Sequence, residues 1–325
     1  MLTRFPKHPA RISAFALVLF AAFSSHGQEA PAPALAETEE ALTLSIGDQP
    51  VLVYHKAEVP PPDGVDPVFT RSGFIHPLHA PGGGVVTGIH PADHYHHLGL
   101  WHAWVKAEYD GKPVDFWNLK GRTGLVRFVK VLERRAAGFT VEQEQAAYLA
   151  GPDAEAVPIL RESLAVDVAR VDGAHVIDYR IAQKNVAAQP LVLPAYRYGG
   201  GLAYRAPHSW NRENSDYLTS EGLTRVDSHA TRVRWCAMWG PAEGGKRPSE
   251  LATVAILCHP ANRDAPQRVR TWDSGEVFFN YVPIQETGWE IKPGETVELV
   301  YRLVILDGRA TREAIEARWQ AFAKD

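Results

Sequence analysis

Seven of the 14 histidines, namely His76, His79, His90, His94, His96, His97 and His102, fall within a span of 27 residues, where even placement would put about one. The centre of this cluster reads His90-Pro91-Ala92-Asp93-His94-Tyr95-His96-His97-Leu98-Gly99-Leu100-Trp101-His102-Ala103-Trp104. Imidazoles titrate near neutral pH, so such a density suits proton transfer, metal ligation or hydrogen bonding to hydroxyl groups. Trp101 and Trp104 add flat apolar faces of the kind on which a pyranose ring rests. Asp93 is placed to accept an N–H from His94 and so to orient the ring.

Two kinds of chemistry follow from this pattern. In the first, His94 or His97, oriented by Asp93, acts as general base or acid, and His76 and His259 are candidates for the opposite proton transfer. In the second, two or three of His94, His96, His97 and His102 hold a divalent metal in a hydrolase or oxygenase, since His94-Tyr95-His96 would present two imidazoles on one strand face. No His-Glu-x-x-His motif accompanies the cluster, so the sequence assigns no metal ligands and calls for no other cofactor. A structural reading stands beside both, with several rings, His79 and His90 above all, simply hydrogen-bonded beneath a loop.

Two further stretches carry polar and aromatic groups suited to a small-molecule or glycan ligand. Tyr196 to Arg205 contains Arg197, Tyr198 and Arg205 and runs on to His208, Ser209, Trp210 and Asn211. Cys258-His259-Pro260-Ala261-Asn262 follows an apolar run, where His259 and Asn262 would emerge at a strand end. The ligand-binding candidates are therefore His96, Trp101, His102, Trp104, Arg197, Tyr198, Arg205, Trp210 and Asn262. Gly82-Gly83-Gly84 and Gly199-Gly200-Gly201 lack the spacing and following helix of a phosphate or dinucleotide loop, and no nucleophile elbow is present.

The elements that must position these residues are strands. Ala41–Ser45, Val51–His55, Gly84–His90, Ala252–Cys258, Val277–Val282 and Val297–Ile305 are rich in β-branched and aromatic residues. Leu164–Arg170 and His175–Ile181 predict a hairpin turning at Asp172-Gly173. Were Leu98 to Lys106 extended, Leu98, Leu100, His102 and Trp104 would share one face and Trp101, Ala103 and Val105 the other. One helix is predicted at the end, where Ile315, Trp319 and Phe322 repeat at helical spacing. With 26 glycines and 24 prolines, the 325-residue chain reads as mainly β: a large antiparallel sandwich with a short C-terminal helix.

Residues 1–27 read as an export leader, with Arg4, Lys7 and Arg11 before an apolar run from Ile12 to Phe23. Residues 28–40 read as a disordered linker and 41–325 as a single domain. The expected location is periplasmic or secreted, and no later segment is apolar enough to span a membrane in the mature chain. A formal charge of −4 without a basic patch excludes nucleic acid as a partner. Cys236 and Cys258 are either bridged across neighbouring strands or buried as free thiols.

Ile75-His76-Pro77-Leu78, the run from Pro91 to Trp104, Asp115-Phe116-Trp117, Tyr198-Gly199-Gly200, His259-Pro260-x-Asn262 and Lys292-Pro293-Gly294-Glu295-Thr296 together resemble the exported bacterial family labelled "PmoA-like" or "methane oxygenase PmoA". The resemblance covers roughly residues 45 to 320. It departs at Cys258, where that family usually has Asp, and at Leu306, where it usually has His. A membrane oxygenase needs several apolar spans, which this chain lacks. The resemblance implies a galactose-mutarotase-like β-supersandwich and points to carbohydrate processing through the histidine cluster, with a noncatalytic carbohydrate-binding module as the alternative.

Overall fold

The computed structural model describes residues 31–244 and 251–325, so the predicted leader at 1–27 lies outside the described residues. The chain begins with β1 (Pro33–Glu37), β2 (Ala41–Ile46), β3 (Gln49–His55), β4 (Phe74–Leu78) and the two-residue β5 (Leu100–Trp101). A short hairpin, β6 (Ala107–Tyr109) and β7 (Lys112–Val114), precedes a meander of long strands: β8 (Gly124–Arg135), β9 (Gly138–Ala147), β10 (Val157–Val171) and β11 (Ala174–Asn185). Then come β12 (Leu191–Leu193), β13 (Ala203–Arg205), β14 (Asp216–Thr219), β15 (Trp235–Pro241) and β16 (Leu251–Cys258). The last strands are β17 (Arg268–Thr271), β18 (Phe278–Val282), β19 (Trp289–Ile291) and β20 (Thr296–Asp307), followed by α1 (Arg312–Phe322).

Two eight-stranded sheets carry the fold. The first has the order β1-β2-β3-β4-β5-β13-β18-β17 and the second β14-β15-β16-β20-β11-β10-β9-β8, while β19-β12-β6-β7 form a smaller third sheet. The pairings are antiparallel, as in β2 with β3, β13 with β18, β10 with β11 and β16 with β20. The expected antiparallel sandwich with one C-terminal helix is what forms. Leu44, Tyr54, Leu100 and Phe279 of the first sheet meet Val141, Leu164, Ile177 and Leu303 of the second in the main core. Alternation sends the neighbouring residues of the first sheet, Trp101, Ala203 and Phe278, to its other face and into a second apolar cluster.

The Asp172-Gly173 turn forms with φ of 49° and 79°, the two positive values that a tight primed hairpin turn requires. Helix α1 starts at Thr311, whose hydroxyl accepts the Ala314 N–H at 3.3 Å, and buries Ile315 and Phe322 against Trp235 and Leu257. Among the described residues, no helix is long and apolar enough to cross a membrane.

Two expectations are corrected, and one open alternative is decided. Pro33–Glu37, inside the predicted linker, is an edge strand whose residues pair with Leu42 to Ile46. Gly84–His90 is not a strand: it makes isolated bridges at Val85 and Ile89 and single backbone bonds to strand ends, from the Val86 N–H to Leu78 O and from the Gly88 N–H to Arg205 O. Cys236 and Cys258 are both free and buried. They sit on adjacent strands, but the residue opposite Cys236 is Ile256, which leaves the thiols diagonal to one another. Diagonal neighbours stand about 7–8 Å apart, beyond the reach of a disulfide.

Candidate functional site

The loop from His90 to His97 is closed by its own backbone. The His94 N–H donates to Pro91 O, the His97 N–H to His94 O and the His90 N–H to His97 O, each at 2.9 Å. Gly99 then returns the chain to the first sheet at φ 62°, where a Cβ would lie 2.3 Å from the Ile75 carbonyl oxygen. Only glycine fits there. The result delivers three consecutive-turn imidazoles onto the face of the sheet that carries Trp101, Arg205 and Phe278.

These rings form a stack. His94 lies parallel to His97 with centroids 4.8 Å apart, and His97 lies parallel to Phe278 at 4.7 Å. Trp272 leans along the stack, 4.8 Å from His94 and 4.9 Å from Phe278. Asp93 Oδ2 accepts from His94 Nδ1 at 2.8 Å. The buried Arg205 donates to Asp93 Oδ1 at 3.2 Å, stands 3.5 Å from His97 Nδ1 and lies over the Trp272 ring. Burial alone would raise the Asp93 carboxyl, but the His94 hydrogen bond and Arg205 outweigh it and hold Asp93 below its ordinary value. With Nδ1 engaged by Asp93, Nε2 is the nitrogen left to the half-buried His94 ring.

His94, His96, His97, Arg197, Tyr198 and Trp272 line an inner cavity of about 160 Å³, completed by Trp117, Asn118, Arg270 and Phe278. It adjoins an open basin of about 600 Å³ that shares His94, Arg270 and Trp272 and adds Asp93, His229, Asp273 and Glu276. Burial pushes the His96 imidazole down to about 3 and His97 well below the usual range, with neighbouring histidines and arginines adding to the effect. Both rings are neutral at pH 7. Asp115 fixes the far wall, its Oδ1 accepting the N–H groups of Trp117 and Asn118 at 3.0 and 2.8 Å. Asn118 Nδ2 reaches the Tyr198 hydroxyl at 3.0 Å, and burial pushes that phenol up to about 12.

Of the sequence candidates, Asp93, His94, His96, His97, Arg197, Tyr198 and Arg205 come together. His76 lies beside this region but lines neither cavity; its Nδ1 faces Thr87 Oγ1 at 2.9 Å. Trp101 and Trp104 are fully buried, so neither offers a face to a ligand. Strand β5 is only two residues long, so the period-two alternation stops at Trp101, and Trp104 joins the same apolar cluster. Its indole donates to Gln183 Oε1 at 2.8 Å, and Gly200 presses on its ring so closely that a Cβ would meet it at 2.0 Å. That contact, not phosphate binding, accounts for the glycine run.

His102 belongs to a sealed polar network. Its Nδ1 meets the Tyr179 hydroxyl at 3.0 Å and its Nε2 meets Glu162 at 2.6 Å, while Gln143 and Gln183 donate to the same carboxyl group. Trp210 is buried and donates to Pro241 O. His259 packs on Phe322 beside α1, and Asn262 braces the Val300 backbone through two hydrogen bonds, so both serve the second sheet. The metal reading loses His102 to the interior, and the parallel planes of His94 and His97 keep their nitrogens from converging on one point. Among the described residues, no group of three or more His, Cys, Asp or Glu side chains is placed to hold a metal.

Trp117, Asn118, Arg270, Trp272 and Phe278 line the cavity without being among the sequence candidates for the site, although Trp117 belongs to a motif of the family resemblance. The signal was present in Arg268-Val269-Arg270-Thr271-Trp272, where Val269 enters the main core and the alternate residue Arg270 faces the cavity.

A family model described as a family of unknown function (DUF6807) matches residues 41–320. The chain belongs to DUF6807. That description contains no oxygenase, so the PmoA label in the sequence resemblance is not supported. No curated protein matches this DUF6807 chain. Among solved structures it is similar to galactose 1-epimerase from Lactobacillus acidophilus NCFM, at 7% identity over 86% of this chain and all of that one, with a TM-score of 0.41. A galactose mutarotase-like protein from Clostridium acetobutylicum is 9% identical over 83% of this chain and 94% of that one, with a TM-score of 0.38. At these scores the likeness says nothing about the reaction of this DUF6807 member.

Proposed function

We propose that this protein processes carbohydrate in the cleft, with Asp93 and His94 as its proton-transfer couple. The observation that carries the reading is that Asp93 accepts from His94 Nδ1 at 2.8 Å while the same imidazole borders both cavities. A carboxylate on Nδ1 fixes the tautomer, leaves Nε2 as a base toward bound ligand and stabilises the imidazolium that forms on proton uptake. Arg205, bonded to the second oxygen of Asp93, keeps that carboxylate in place.

The walls support a polyhydroxylated guest. Trp272 presents half-buried aromatic surface, Tyr198 and Asn118 present hydroxyl and amide groups, and the neutral His96 offers ring nitrogens that accept or donate according to tautomer, while the buried Trp117 and His97 back the wall. Aromatic faces beside convergent polar groups are the makings of a small-molecule site. On this reading His94 Nε2 takes a proton from a hydroxyl, an anomeric oxygen or a carbon beside a carbonyl. The leader predicted at 1–27 puts that chemistry in the periplasm or outside the cell.

The test is conversion of a glycan panel by the purified mature chain, followed by mass spectrometry and NMR, with His94→Gln and His79→Gln compared. His79 lines neither cavity. Loss of turnover in His94→Gln with activity retained in His79→Gln is the expected result. Equal turnover by His94→Gln and wild type would remove His94 from the chemistry, and binding without conversion would identify a noncatalytic module.

A further inference from the structure

The inner cavity has a charge imbalance that proton transfer does not explain. Among the described residues its lining contains two guanidinium groups, Arg197 and Arg270, and no carboxylate, the Asp115 carboxylate behind the wall being taken up by Trp117 and Asn118. Arg268, two residues before Arg270 on β17, is paired with Glu286, and Arg205 on β13 is paired with Asp93. Among the described residues, Arg197 and Arg270 form no such ion pair; the one side-chain hydrogen bond of Arg270 runs to His229 Nε2 at 3.2 Å, and Arg197 lies over the Tyr198 ring. Burial and then the charge of Arg197 hold Arg270 below its ordinary value, so the two cations are close enough to repel. Two like charges beside one cavity, Arg270 half-buried and Arg197 exposed, repel one another, and an anion between them relieves that repulsion.

We propose that the cleft accepts a sugar bearing an anionic substituent (carboxylate, sulfate or phosphate) whose oxygens are held by Arg197 and Arg270. The inference rests on the carbohydrate reading above and adds to it the class of sugar and its orientation. Guanidinium forks match planar or tetrahedral oxyanions through paired N–H donors. The outer basin carries Asp273 and Glu276, while Asp93 is already engaged by Arg205 and His94. An anionic substituent is therefore repelled at the mouth and directed inward, which leaves the neutral part of the glycan in the basin, where His94 borders both spaces.

The experiment is isothermal titration of the mature protein with D-glucuronate, D-galacturonate, glucose 6-sulfate, glucose 6-phosphate, and neutral gluco-, galacto- and manno-configured sugars, with benzoate as an anion that is not a sugar. At least one charged sugar binds about tenfold or more tighter than its neutral counterpart, the preference shrinks at high salt, and the tightest of the charged sugars identifies the substituent. Arg197→Gln and Arg270→Gln each lower that preference about tenfold, and Arg270→Lys restores part of it. Equal affinity for neutral and charged sugars overturns the anion inference and leaves the carbohydrate reading standing. Benzoate binding as tightly as every sugar overturns the carbohydrate reading, and silence from the whole panel overturns both.

Discussion

Asp93 and Arg205, 112 positions apart in the chain, meet at 3.2 Å, and this ion pair ties the histidine loop to the sheet beneath it. Arg205 is buried and Asp93 is over a third exposed, so the contact spans the boundary between core and cleft. The same carboxylate holds His94 by its other oxygen. One side chain thus sets both the position of the loop and the tautomer of the ring that borders both cavities.

Asp93→Asn keeps the shape and removes the charge. It withdraws the stabilisation of a protonated His94 and puts an amide donor in competition for Nδ1. Turnover falls by about 10² or more, in line with the usual contribution of general acid–base catalysis, while KM changes little. Steady-state kinetics on the converted glycan checks this, and a variant within twofold of wild type would detach Asp93 from the chemistry.

Acid weakens the fold through the histidines that burial keeps neutral. His76, pushed down to about 4, and His96, pushed down to about 3, both have folded values below their unfolded value near 6.5. The unfolded chain therefore binds more protons in this range. Their stabilising contribution is whole above about pH 6.5 and is lost as pH falls toward the folded values, at about 1.4 kcal/mol per pH unit for each group. Denaturant midpoints between pH 7.5 and 4.5 should drop, and His96→Gln should drop less steeply; parallel profiles for variant and wild type would contradict the assignment.

The two kinds of tryptophan separate binding from stability. Trp272→Ala, on the cavity wall, lowers glycan affinity about tenfold with a small change in Tm, since half-buried aromatic surface is lost mainly to the ligand. Trp101→Ala, fully buried, costs about 3–5 kcal/mol of stability. Titration and thermal melts on both variants give the split, and a ligand effect at Trp101 without loss of stability would reverse it.

Glu162 is the acceptor shared by His102, Gln143 and Gln183. Glu162→Ala strands three buried donors and lowers stability by about 3–5 kcal/mol. His102→Ala and Glu162→Ala together are less costly than their sum by about 1 kcal/mol or more, a coupling that a double-mutant cycle in urea measures. Strict additivity would mean that the two groups do not share a network.

Much of the architecture was legible because local rules decide it. Alternation and β-branched composition marked β2, β3, β16, β18 and β20; the Asp172-Gly173 turn marked its hairpin; helical spacing marked α1. The density of imidazoles and the neighbouring Asp93 marked the loop that builds the site, since backbone turns and an adjacent side chain are short-range matters. Which histidines line the cavity was settled at long range. His102 differs from His97 in meeting Glu162, a residue 60 positions later. Trp104 is sealed by Gly200, while Trp272 lies open because β17 pairs with β18 and so lands beside Phe278. Sequence fixes which groups are available and how they alternate along a strand. Burial, and with it protonation state and access to solvent, depends on strand order and sheet packing, and those arise from contacts among segments that no single stretch of chain encodes.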